Sequence, residues 1–146
     1  DKERIEGFRK AFEPGETYRW EIPKTERERM CFYEDNYMQL PENSVTAVFA
    51  VSDFYALEFM DFYKKELRIP EDIQIIGFDD NMASRESNPS LTTIHQEANL
   101  RAKAAIKCLE AMRDGAEYKT EIVLPVDLKK GKVRGNYNVK VHEIVV

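Results

Sequence analysis

At 146 residues the chain suits one compact domain and is too short for two complete ones. Hydrophobic residues at 42% and charged residues at 34% read as globular and exclude a disordered chain. A net charge of −5, with Lys and Arg scattered along the chain, excludes a phosphate-tracking face, so this chain alone is a poor nucleic-acid binder. The longest apolar run is far short of the ~18 residues of a membrane span, and no secretory pattern opens the chain. It begins at Asp1 rather than Met, as expected of a processed or excised piece.

In chain order, "KERIEGFRKAF" (2–12) sets Ile5, Phe8 and Phe12 on one helical face, and Pro14 and Gly15 stop that helix. "TYRWEI" carries a weak strand signal. "KTERERMCFYEDNYMQL" reads as a helix with Met30, Tyr33 and Tyr37 at helical spacing. "VTAVFAV" (45–51) is nearly continuous apolar and fits a strand covered on both faces. Asp53 is expected to cap a helix over 54–67, which ends before Pro70, and "IQIIGF" is a second buried strand. Strand, helix and strand within about 30 residues make a βαβ unit with adjacent parallel strands. Residues 81–96 read as turn-rich. A helix follows over 97–114, aligning Ala98, Ala102, Ala105, Leu109 and Met112, with Gly115 as its stop. "EIVLPVDL" is a further strand. The tail alternates at Val139, Val141 and Glu143, as one more strand at an edge would.

The helix at 54–67 is too apolar for a one-sided surface helix. Ala56, Met60, Tyr63 and Leu67 form one stripe, Tyr55, Phe59 and Phe62 a second, and Leu57 widens the other flank. Either the helix is buried deep in its own domain, or it carries a second contact surface at a subunit interface.

In an open parallel sheet, ligands bind outside the carboxyl ends of the strands. The two best strands end in Ser52-Asp53 and Asp79-Asp80, so these four residues should share one rim. Asp79 and Asp80 point to opposite faces and should not chelate one ion together. With His95 and His142 alone, no zinc cluster can assemble, so neither metal nor cofactor is expected. Cys31 and Cys108 lie far apart and are expected as buried free thiols. No GxSxG, Walker-type loop or GxGxxG occurs, and no nucleophile–base set is visible, which argues against an enzyme. Asp53 and Asp80 are expected to cap a helix and a turn. Asp79 and Ser52 remain for polar ligand contacts, since a carboxylate accepts from two hydroxyls.

"RIEGF" (4–8), "VFAVSDFYALEF" (48–59), "IPEDIQIIGFDD" (69–80), "PSLTTIHQ" (89–96) and the helix ending "AMRDG" occur in that order. Together they resemble the effector-binding domain of the LacI/GalR family of bacterial transcription regulators, over about residues 4–128. The resemblance implies a three-layer αβα, mostly parallel, periplasmic-binding-protein-like (type I) fold of two subdomains with the effector in the cleft between them. This chain would match only the second half. Residues 1–95 would belong to the C-terminal subdomain, 96–120 would pass into the N-terminal subdomain, and 121–146 would return as a strand and tail. The DNA-reading helix-turn-helix lies upstream in the family.

By the same resemblance, Arg4 matches an effector-contacting arginine, Ser52 a position before the helix, and Asp79 an acid that meets sugar hydroxyls. Gln96 sits at the crossover, and Trp20 is a candidate for stacking on a sugar ring. The family dimerises partly through the helix after Asp53, which implies a homodimer interface at Ala56, Leu57, Phe59 and Met60. Two features depart from the pattern. Ala102 stands where the family usually has Gly, and the tail past Leu128 has no counterpart. The implied function is a cytoplasmic repressor's effector-binding module, with a small molecule, a sugar or sugar derivative, as ligand, and DNA reached only through the upstream domain. The alternatives are a transporter's solute receptor, which shares the fold, and an α/β enzyme.

Overall fold

A computed structural model describes residues 2–11, 17–42, 44–132 and, as backbone, 142–145. In chain order its elements are α1 (Lys2–Ala11), β1 (Thr17–Arg19), α2 (Glu26–Asn36), α3 (Gln39–Glu42), β2 (Val45–Phe49) and α4 (Asp53–Tyr63). Then follow β3 (Gln74–Asp79), α5 (Met82–Glu86), β4 (Thr92–Gln96), α6 (Ala98–Arg113), β5 (Val126–Lys129) and β6 (His142–Val145). The expectations for Phe12, Pro14, Gly15, Val139 and Val141 lie outside the described residues.

The six strands form one sheet in the order β1-β6-β2-β3-β4-β5. Every pairing is parallel except β4 with β5. The expected βαβ unit is present, with Phe49 of β2 opposite Ile76 of β3. Alternation along β2 and its extension splits the core between the two faces. Val48 and Ala50 join Ile75, Trp20, Tyr33, Phe59 and Tyr63 under α2 and α4. Phe49 and Val51 pack on the other face with Ile76, Phe78 and the α1 residues Ile5 and Phe8. The Phe8 and Phe49 rings stack at 4.8 Å. The result is the three-layer αβα arrangement.

Several expectations need correction. The turn-rich reading of 81–96 missed β4, whose Thr-Thr-Ile start is β-branched enough to be a strand. The tail strand is not an edge: β6 lies between β1 and β2. Helix α4 is capped by Ser52, whose hydroxyl accepts from the Phe54 amide at 3.2 Å, and Asp53 is its first residue. Cys31 is exposed and Cys108 half-buried, so neither is the buried thiol expected. Gly115 ends α6 as expected, in the left-handed region at φ +66°. The aligned face of α6, however, buries none of its residues against the rest of the chain.

Candidate functional site at the strand ends

Parallel β2, β3 and β4 bring their carboxyl ends to one rim. Asp79 lies opposite His95 in the β3–β4 register, and the Ala50 amide donates to the Ile76 carbonyl at 2.8 Å. Val51, Asp79 and Gln96 therefore become neighbours although 45 residues of chain separate the first from the last.

Asp79 is the centre of this rim. Its Oδ1 accepts from Gln96 Nε2 at 2.9 Å and faces Arg4 Nη2 at 3.4 Å. Arg4 reaches it from α1, where Nη1 also donates to the Val51 carbonyl at the end of β2. The guanidinium lies 3.8 Å over the Phe78 ring, which fixes its plane. Gln96 in turn accepts at Oε1 from Arg101 Nη1 of α6 at 3.2 Å. A continuous polar string thus runs from α1 to α6 across the ends of three strands. Asp79 and Asp80 take φ of +114° and +52°. Non-glycine residues in such conformations cost on the order of 1–3 kcal/mol each and persist only where the surroundings enforce them.

The neighbouring acids do different work. Asp53 is fully buried; its Oδ1 accepts from the Thr93 hydroxyl at 2.5 Å and its Oδ2 from the Asn81 amide at 2.9 Å. It is a clamp between α4 and the ends of β3 and β4 rather than a helix cap. Asp80 accepts two bonds from Arg85 of α5, both 2.8 Å, and lies 2.7 Å from His95 Nδ1. The Arg85 guanidinium, helped by His95, holds the Asp80 carboxyl below the usual carboxylate range. Asp80 therefore secures the turn, and Asn81 caps α5 by accepting from the Ser84 amide at 2.8 Å.

Of the expected ligand contacts, the structure joins Arg4, Asp79 and Gln96 directly and places Ser52 beside them as a helix cap. Trp20 is elsewhere. It is buried between Phe32 and Phe59, with its indole N–H 3.3 Å from Gln39 Oε1, and is not available to stack on a ligand at this rim. The expected interface residues also divide. Ala56, Phe59 and Met60 are in the chain's own core, and Leu57 alone of the four keeps an exposed part. The extra apolar width of α4 is taken up by Trp20 and Tyr33 of the layer beneath α2. Arg101, Phe78, Thr93 and His95 were missed. Phe78, Thr93 and His95 sat in motifs that could have drawn notice, and Arg101 did not. Among the described residues no group of three or more His, Cys, Asp or Glu could hold a metal ion.

A family model for the periplasmic binding protein-like domain matches residues 1–132. The chain belongs to that family. Its relatives are repressors, and the resemblance to LacI-type effector-binding domains holds. The ribose operon repressor of Lactococcus lactis is 38% identical over 87 residues, covering 58% of this chain and 27% of the relative. The HTH-type transcriptional repressor PurR of Haemophilus influenzae is 36% identical over 110 residues, covering 73% and 33%. In structure the chain resembles the lac repressor dimer bound to operator and the anti-inducer ONPF, with TM-score 0.62 and 32% identity over 71% of this chain and 32% of that one. The chain spans about a quarter to a third of the length of these relatives. Among the described residues no helix is long and apolar enough to cross a membrane.

Proposed function

We propose that this chain forms one wall of the effector pocket of a bacterial LacI-type transcriptional repressor, where a small hydroxylated molecule, a sugar or sugar derivative, regulates DNA binding by a helix-turn-helix elsewhere in the parent protein. The observation that carries this reading is Asp79. A carboxylate is held at the end of a central strand, in a strained conformation, by an arginine and an amide that both engage Oδ1. That leaves Oδ2 to accept from ligand hydroxyls. The similar repressors support this reading over a transporter's solute receptor, and a binding module over an enzyme. A repressor works where the DNA is, in the cytoplasm.

Residues 1–95 serve as the C-terminal subdomain, 96–120 as part of the N-terminal one, and 121–146 as the return. The unburied apolar side chains of α6, among them Ile106 and Leu109, support this division: they await a partner surface of the parent protein. Dimerisation uses the outer face of α4 around Leu57.

Calorimetry on the full-length parent protein with a panel of sugars tests the pocket. Asp79→Ala and Arg4→Ala should each weaken the bound ligand by about tenfold or more, the scale of a lost charge-assisted hydrogen bond. Unchanged affinity in both variants would place the pocket elsewhere.

A further inference from the structure

We infer that the ligand taken at this rim carries a negative charge as well as hydroxyls, and that Arg101 receives its carboxylate or phosphate. This rests on the effector-pocket reading above and goes further by naming the chemical class.

Charge pairing around the rim points to Arg101. Arg4 and Asp79 neutralise each other, and Arg4 is further committed to the Val51 carbonyl and the face of Phe78. Asp80 is matched by Arg85 and His95. Glu97 is turned to the start of α6, where Oε1 accepts from the Asn99 amide at 3.3 Å and Oε2 lies 3.6 Å from His95 Nε2. Asp79 and Asp80, the two acids at the end of β3, thus each already face an arginine. Arg101 has no such partner: it is exposed, in the first turn of α6, with one bond to Gln96 Oε1 and no carboxylate in ion-pair range among the described residues.

A guanidinium offers five N–H donors, so Arg101 keeps most of them for a ligand. Its planar fork fits a carboxylate or phosphate through two parallel bonds, which a neutral sugar cannot match. Gln96 sets the geometry between the two ends of the site. Its amide gives Oε1 to Arg101 and Nε2 to Asp79, which places the hydroxyl acceptor and the anion donor one side chain apart. A sugar acid or sugar phosphate spans such a gap, with ring hydroxyls on Asp79 and its acidic group on Arg101.

The test is calorimetry on the full-length parent protein with matched pairs: glucose with glucuronate, galactose with galacturonate, glucose with glucose 6-phosphate, and ribose with ribose 5-phosphate. At least one charged member should bind tenfold or more tightly than its neutral counterpart. Arg101→Met should weaken the charged member at least tenfold more than the neutral one, and Arg101→Lys should restore part of that difference. Carboxylate and phosphate pairs read separately tell which anion the site takes. Three results would overturn the inference: a neutral member binding as tightly as its charged partner, no charged member binding, or Arg101→Met weakening both members equally. A neutral ligand that binds and is lost in Asp79→Ala removes the anionic class but leaves the effector reading standing. Asp79→Ala without effect on any bound ligand removes the reading itself.

Discussion

Asp53 stands one residue past the cap of α4, yet one of its carboxylate oxygens is used on Thr93 of β4 and the other on Asn81, between β3 and α5. Its removal leaves the buried Thr93 hydroxyl and the Asn81 amide without an acceptor. Asp53→Ala should cost about 3 kcal/mol, measured by denaturant unfolding, because orphaned buried donors pay their full desolvation penalty. A loss below 1 kcal/mol would mean that water replaces the clamp. Gly77 explains how the clamp fits: an added Cβ would lie 2.3 Å from Asp53 Oδ1 and 2.9 Å from Leu91 Cδ2. Gly77→Ala should therefore lower the unfolding midpoint even though the change is a single methyl group. Asp80 supplies a pH dependence. Its folded pKa is depressed by Arg85, so its contribution is complete above the unfolded value of about 4 and is lost as pH falls through the lower folded value. Asp80→Asn should then lose less additional stability than the wild-type chain between pH 5 and pH 3. Parallel profiles would show that the pair carries no such linkage. The roles of these acids were only half legible. Asp79 and its position at a strand end follow from the βαβ pattern, whereas the inward turn of Asp53 depends on Thr93, forty residues away.

At the scale of elements, α4 shows where periodicity stops being decisive. Its over-wide apolar arc was compatible with deep burial or with an interface, and no count of stripes separates the two. The structure divides the residues: Phe59 and Tyr63 are sealed under Trp20, Tyr33 and their neighbours, while Leu57 faces outward in part. Burial pushes the Tyr33 and Tyr63 hydroxyls well above the ordinary tyrosine range, in keeping with their place in this layer. Leu57→Asp should then give a monomer in sedimentation of the full-length protein with little change in unfolding. Phe59→Asp should unfold it instead, since a charge would replace a fully buried ring. A stable dimer with Asp at position 57 would move the interface off this helix. The polar partners of α4 were illegible from the sequence. Glu58 accepts from Arg29 at 2.7 and 2.8 Å and from the Tyr33 hydroxyl at 3.2 Å, and a charged pair half-sunk between two helices leaves no local pattern.

For the whole molecule, the parallel centre of the sheet was readable because β2 and β3 are long apolar runs joined by a helix of the right length. β4 escaped because turn residues precede it and because its buried side chains include two threonines, Thr92 and Thr93. Those threonines are not decoration: Thr93 serves Asp53, and Thr92 Oγ1 accepts from the Gly131 amide at 3.0 Å, tying the antiparallel β5 region back to the sheet.

The place of β6 has a consequence for how the chain must be assembled. β1 pairs with β6, and β6 pairs with β2, so a strand far downstream in sequence fills the slot between β1 and β2. Until β6 is in place, β2 presents an open edge, and β1 has no strand beside it among the described elements. Such an edge is a template for pairing with other chains, and closing it late requires contacts of long sequence separation, which form slowly. A chain in which β6 has not yet docked is therefore the form most exposed to aggregation, and its sheet closes only when that strand is seated.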